Sequence, residues 1–184
     1  MLKYRPALAS DKQMIINLHV AMSKSTYANI LPRHYLENEL PYEKQELWEK
    51  RFAGPNCNQL IFVALSSSEI AGFCCFAFNE EKEHGTYLHN LYVTHEYQRR
   101  GVAKSLLSHA IGAFDSTRRR MPVHLLAFAE NTNAVDVYEK LDGTVIEKRV
   151  VERSGNPAVE LLRYQWPSAE VLLYKINDQT SRKT

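Results

Sequence analysis

The 184-residue sequence predicts an α/β fold on a mixed, mostly antiparallel sheet of about seven strands. Three observations predict it. Apolar runs recur as a meander between residues 60 and 93, and strand and helix patterns alternate from Gly101 onward. The run Thr-Tyr-Leu-His-Asn-Leu-Tyr-Val at 86–93 has its alternation broken in the middle. Leu88 is apolar at an even position, whereas Leu91 and Val93 are apolar at odd ones. A strict pleat cannot put all three on one face, and a bulge near His89 and Asn90 reconciles them.

The elements follow in chain order. Residues 2–8 read as a short first strand. Ser10 and Asp11 mark a helix start, with Met14, Ile15, Leu18 and Met22 at helical spacing. A second helix runs from Pro41 to about Phe52, with Leu47 and Trp48 near Phe52, after an aromatic segment interrupted by Pro32. Residues 53–58, with Gly54 and Pro55, form a turn. Strands at 60–65 and 70–78 are joined by a serine-rich hairpin, and residues 79–85 turn into the strand at 86–93. Val102, Leu106, Ala110 and Phe114 form an i, i+4 row flanked by Leu107 and Ile111, an amphipathic helix that ends in Arg118, Arg119 and Arg120. A strand at 123–129, a helix at 133–141 and a strand pair at 144–151 and 159–166 complete one domain over 1–166. Residues 167–184 read as a C-terminal extension whose last eight residues form a frayed tail.

Composition excludes several classes. Hydrophobic residues are 45% and charged residues 24%, with a formal net charge of +2, too small to argue for nucleic acid. No run approaches the length of a membrane span. Cys74 and Cys75 are adjacent in an apolar run and face opposite ways, and Cys57 stands alone, so neither a disulfide framework nor a metal site is expected. Buried free thiols fit a reducing compartment, and the expected location is cytoplasmic.

Chemistry concentrates where the strand at 86–93 turns into the amphipathic helix. That turn reads Gln98, Arg99, Arg100, Gly101, Val102, Ala103. A helix N-terminus carries unpaired N–H groups and partial positive charge, Gly101 admits close approach of an anion, and Ala103 keeps the first helical turn slim. Together these residues suit a pyrophosphate. A nucleotide-hydrolase loop is excluded, since Gln98 and Ala103 stand where its two glycines belong, and no GxGxxG is present.

The stretch LYVTHEYQRRGVAKSLL resembles motif A of the GNAT N-acetyltransferases, with its (Q/R)xxGx(G/A) loop. About thirty residues on, ENTNAVDVYEKLDG resembles the family's NxxAxxxYEKLG on Asn131, Ala134, Tyr138, Glu139, Lys140 and Leu141. The departure is Asp142 in place of the motif's glycine, with Gly143 next, so a slightly shifted turn is expected. The resemblance covers residues 60–166 and implies helices on both faces of a sheet with a splayed central strand. It further implies acetyl-CoA as co-substrate, a small-molecule or peptide amine as acceptor, and no metal. A homodimer is left open.

Position by position, the resemblance places the backbone of Leu91 and Val93 along the pantetheine arm, with the Val93 N–H toward the thioester carbonyl. It puts the pyrophosphate on the loop N–H groups, Asn131 on the CoA arm and Tyr138 near the sulfur. A lysine-like amine is neutral in only about one molecule in a few thousand at pH 7, a barrier of roughly 4–5 kcal/mol unless a base or a desolvating site helps. Some members carry a glutamate base twelve residues before the tyrosine; here that position is Leu126. His89 is the replacement expected, with Tyr87 behind it and water as a third option. Tyr27, His34 and Tyr35 are candidates for lining the acceptor site, with ordinary packing an equal alternative. A CoA-binding protein without turnover is the competing reading.

Overall fold

A computed structural model describes residues 1–54, 58–78, 80–152 and 158–181. Seven strands, β1 (Lys3–Pro6), β2 (Gln59–Ser66), β3 (Glu69–Ala77), β4 (Thr86–Val93), β5 (Val123–Phe128), β6 (Thr144–Val151) and β7 (Val159–Trp166), form one sheet. Its order is β1-β2-β3-β4-β5-β7-β6. Neighbours are antiparallel except β4 and β5, which run parallel. The expected mixed sheet is thus observed, and its one parallel step lies at its centre.

Among the described residues six α-helices flank it: α1 (Lys12–Thr26), α2 (Leu40–Phe52), α3 (Val102–Gly112), α4 (Ser116–Arg120), α5 (Thr132–Lys140) and α6 (Ala169–Ser181). α1 is preceded by a single 3-10 turn. Its start is fixed by Asp11, whose carboxylate accepts from the Leu8 N–H at 2.7 Å and from Arg5 at 2.6 and 2.9 Å. The Arg5 guanidinium holds that buried carboxyl below the usual carboxylate range.

Strand alternation splits the core between two faces. Phe62, Cys74 and Phe76 join α3's Leu106, Leu107, Ala110 and Ile111 on one face. Ile61, Val63, Phe73 and Cys75 join α1's Ile15, Ile16, Leu18 and Met22 and α2's Trp48 on the other. The adjacent cysteines therefore lie in different cores, both as free thiols. Cys57 and the turn expected around 154–157 lie outside the described residues.

Two sequence expectations are corrected. The arginines do not end the helix that begins after Gly101. Asp115 accepts from the Arg118 N–H at 2.8 Å and caps a separate short helix, α4. The frayed tail expected over residues 177–184 is likewise helix as far as Ser181: it continues α6, whose Ala169, Leu172 and Ile176 complete the core beneath α3, each 2% exposed or less. Their i, i+3, i+7 spacing is visible in the sequence, directly before the polar residues that follow Ile176. Leu172→Ala is expected to destabilise the domain by about 2–5 kcal/mol in urea unfolding, the usual cost of such a cavity. A frayed segment would show no change.

Candidate active site

The site is organised by the parting of β4 from β5. Their pairing covers only Thr86↔Val123 and Tyr87↔His124. β5 stays paired to β7 as far as Phe128↔Leu161, and β4 to β3 as far as Val93↔Gly72. Between those two paired strands a slot opens. The cause is local: Cys75 faces Asn90 but Phe76 faces Leu88, so His89 is an extra residue and β4 bulges there. The bulge was anticipated at this place, and it turns Leu88, Leu91 and Val93 all toward the α3 core.

The bulge also fixes which peptide groups face the slot. The Thr94 N–H donates to the Ala71 carbonyl of the β3 strand at 2.9 Å, so the peptide groups of Tyr92 and Thr94 point toward β3. Those of Leu91 and Val93, by alternation, point the other way, into the slot. Gln98 Nε2 donates to the Val93 carbonyl at 3.1 Å from that side. The Gln98 side chain therefore braces β4 against the loop and is not left for a phosphate.

The loop itself is shaped by two left-handed residues, Arg99 at φ 59° and Gly101 at φ 79°. Gly101 caps α3, and the first ladder bond runs from the Ser105 N–H to the Gly101 carbonyl at 3.0 Å. The N–H groups of Val102 and Ala103 precede that bond and point outward along the helix axis. No protein atom lies within 4 Å of where a Gly101 Cβ would stand, so packing alone does not demand glycine there. Backbone conformation demands it, and the space above is open to an anion. Arg100 lies over the Tyr97 ring at 5.7 Å, at the lip of the loop.

Across the slot, Asn131 caps α5: its side-chain oxygen accepts from the Ala134 N–H at 3.4 Å, leaving the amide NH2 as the part able to reach outward. Tyr138 lies against Tyr164 and Trp166, with ring centroids 5.5 and 6.2 Å away. Burial, reinforced by the Tyr92 and Tyr164 phenols, pushes the Tyr138 hydroxyl well above its ordinary range, so it keeps its proton. The turn after α5 is not shifted. Asp142 itself adopts φ 55° where the motif has glycine, tied to Lys175 at 2.6 Å. Gly143 is required for another reason: a Cβ there would stand 2.7 Å from the Trp166 ring.

On the opposite face of the sheet, His89 packs on Tyr87 at 4.9 Å, and its Nδ1 lies 3.1 Å from Asn90 Oδ1. An amide oxygen only accepts, so Nδ1 carries the hydrogen and Nε2 presents a lone pair. Burial, then the positive charge of Arg51, lowers the His89 pKa and keeps the ring neutral at pH 7. Tyr27 also stands here, its hydroxyl 3.0 Å from that of Tyr92. His34 is exposed, 3.4 Å from Glu39, and Tyr35 is buried with its hydroxyl on Glu43 at 2.7 Å; both lie in the α1–α2 connection, where Tyr35 belongs to a small apolar cluster that packs against Tyr27.

Arg118, Arg119 and Arg120 sit beyond the far end of α3, roughly 16 Å from its N-terminus. Arg118 covers the Phe78 ring at 4.0 Å and Arg119 Nε donates to the Phe114 carbonyl at 3.1 Å. The loop and these arginines are therefore not one anion site.

Sequence reading missed a polar group beside the slot. Arg163, 2% exposed, donates to Glu81 at 2.6 Å, to Glu147 and to His124 Nδ1 at 2.9 Å. Tyr87 stacks on His124 with ring centroids 4.7 Å apart, and burial with the Arg163 charge pushes His124 down to about 4. One signal was available: Leu161, Arg163 and Gln165 alternate with the core residues Leu162, Tyr164 and Trp166.

These elements make an α/β domain whose mixed sheet is split beside its parallel step, with a glycine-turned helix N-terminus at the mouth of the split. The sequence pattern of the acetyltransferase (GNAT) family matches residues 25–143, and the chain belongs to that family. Comparison with curated protein sequences gives no match. Among solved structures, the PaiA N-acetyltransferase of Thermoplasma acidophilum, in complex with coenzyme A, is 20% identical with a TM-score of 0.68. That likeness covers 90% of this chain and 99% of the other. YncA of Salmonella typhimurium, solved with its cofactor acetyl-CoA, is 15% identical at a TM-score of 0.64, covering 90% and 93%. Smu.2055 of Streptococcus mutans is 19% identical at 0.69, covering 91% and 99%. At such identities the likeness speaks for the fold.

Gly101→Val tests the loop. A branched residue resists a positive φ and its side chain would fill the open space, so acetyl-CoA affinity is expected to fall at least about tenfold in calorimetry, or 1.4 kcal/mol. Gly101→Ala should fall between that variant and the wild type.

Proposed function

We propose that the chain is an N-acetyltransferase that binds acetyl-CoA along β4 and passes its acetyl group to a primary amine by direct attack in a ternary complex. The observation that carries this reading is the juxtaposition of the slot-facing Val93 peptide with the Gly101 loop on one strand–turn–helix unit. The Val102 and Ala103 N–H groups, with those of Arg99, Arg100 and Gly101, take the pyrophosphate, and the pantetheine arm runs along Leu91 and Val93. Asn131 meets that arm from α5.

In this reading the amine nitrogen attacks the thioester carbon, and the Val93 N–H holds the oxygen that becomes negative. The C–S bond breaks, and the thiolate takes a proton from the Tyr138 hydroxyl, which regains one as the new amide sheds its extra proton. Burial raises the proton affinity of a thiolate as it does that of the phenol, so the transfer is less uphill than bulk values imply. His89 Nε2 is the lone pair available to take the proton that an ammonium must lose before it attacks, and it returns that proton to solvent. No cysteine stands at either motif, so an acetyl-enzyme has no nucleophile there.

One observation favours a second reading, a CoA-binding protein without turnover: Leu126 stands on the slot-facing stretch of β5 where some members carry a glutamate. Release of CoA thiol across a panel of amines separates the two. Acetyl-CoA bound without turnover on any amine favours the second.

Tyr138→Phe keeps the packing on Tyr164 and Trp166, so acetyl-CoA affinity should hold while turnover falls by roughly 10²–10⁴-fold. Wild-type turnover in that variant removes Tyr138 from the mechanism. His89 works only when neutral, so the rate should fall as pH drops through its lowered pKa. His89→Ala should flatten that acidic limb if His89 is the base and leave it intact if water serves.

A further inference from the structure

The slot has two faces. Tyr138, the Gly101 loop and α3 lie on one; an acceptor must come from the other. There Tyr27, at the end of α1, spans the parted strands. Its hydroxyl lies 3.0 Å from that of Tyr92 on β4, and its ring packs edge-on against Phe128 of β5 with centroids 5.0 Å apart. Tyr92 also receives a hydrogen bond from Ser23 at 3.4 Å, and Ser25 lies 2.9 Å from His95 just beyond β4. The last turn of α1 is thus tied to the top of β4 by Ser23, Ser25 and Tyr27, and Tyr27 alone of these reaches across to β5.

Tyr92 is next to Val93, the residue whose N–H faces the slot. Burial raises the pKa of both Tyr27 and Tyr92, as does the Tyr92 phenol acting on Tyr27 and, more weakly, that of Tyr138. The Tyr27 and Tyr92 phenols therefore keep their protons. They are neutral groups joined by one hydrogen bond, which an amine nitrogen can replace without separating charge. Tyr27 closes α1, its N–H donating to the Ser23 carbonyl at 2.9 Å and its own carbonyl accepting from the Ile30 and Leu31 N–H groups at 3.0 and 2.9 Å in the turns that follow. Rotation about the side-chain bonds alone moves the ring and leaves this backbone in place.

Resting on the proposed function, we infer that Tyr27 is the acceptor-side door of the slot. The incoming amine nitrogen takes the place of the Tyr27 hydroxyl at Tyr92, which aligns it with the thioester beside Val93. Tyr92 is then a positioning residue, and Tyr27 both keeps water from the thioester and sets which acceptors enter.

Three variants test this: Tyr27→Phe, which keeps the ring on Phe128; Tyr27→Ala, which removes it; and Tyr92→Phe. Each is measured for acetyl-CoA affinity, for melting temperature, and for thiol release with amines and with water alone. The water reaction needs no known acceptor. All three should bind acetyl-CoA within about twofold of wild type, since the groups removed lie off the cofactor's face. Thiol release to water should rise about tenfold or more in Tyr27→Ala, change little in Tyr27→Phe, and be accompanied in Tyr27→Ala by a wider range of amines. Tyr92→Phe should lose about 10–100-fold in kcat/KM for the best amine, the cost of a misaligned nucleophile. A Tyr27→Ala protein that binds acetyl-CoA normally, melts lower, and releases thiol to water no faster than wild type marks Tyr27 as packing only and overturns the door. Failure of the wild type to bind acetyl-CoA overturns the proposed function, and the door with it.

Discussion

One extra residue in one strand governs the rest. The bulge at His89 turns the upper half of β4 out of line with β5, and everything proposed for this site occupies the resulting gap. A bulge leaves ladder groups unpaired, which ordinarily costs stability. Here Gln98 takes the Val93 carbonyl, Tyr27 bridges to Phe128, and β3 and β7 hold the two parted strands from outside. The slot is thereby rigid on both walls while its backbone donors stay turned inward. That is what a thioester oxygen needs, because a donor already fixed in place costs no reorganisation when charge develops.

The same geometry divides the chemistry by face. Alternation along β4 sends Leu88, Leu91 and Val93 to the α3 side and Tyr87, His89 and Tyr92 to the α1 side. The residues proposed to meet the cofactor, with Tyr138, therefore gather on one side, and those proposed as base, door and acceptor contacts on the other. The histidines and phenols on the acceptor side are held uncharged, although the Arg163–Glu81–Glu147 cluster and Arg51 lie close by. His89 and His124 are pushed down and the Tyr27, Tyr87 and Tyr92 phenols are pushed up, burial leading in each case. An amine entering such surroundings meets the same desolvation, which favours its neutral, nucleophilic form.

Much of this was legible in the sequence because it rests on local patterns. Broken alternation at Leu88 and Leu91 located the bulge, the i, i+4 row from Val102 to Phe114 located α3, and Gly101 marked the helix entry. What escaped were relations between distant segments. Tyr27 was a candidate among three aromatic-segment residues, and only folding separates it from His34 and Tyr35. Arg163 and His124 lie 39 positions apart and meet because β5 pairs with β7. Asp142 broke the motif by residue type, yet it adopts the left-handed conformation that the motif's glycine would supply, which spacing alone could not reveal. The helical spacing of Ala169, Leu172 and Ile176 was readable and was outweighed by the polar composition after them.

The central claim is that the parted strands seat the thioester of acetyl-CoA. The most direct measurement is a titration of the 15N-labelled protein with acetyl-CoA, followed through the backbone amide signals. The largest changes are expected at Leu91, Val93, Gly101, Val102 and Ala103, with Val93 distinguishing acetyl-CoA from CoA because only the former carries the thioester carbonyl. Changes confined to the α1–α2 surface, or a Val93 amide indifferent to the ligand, would contradict it.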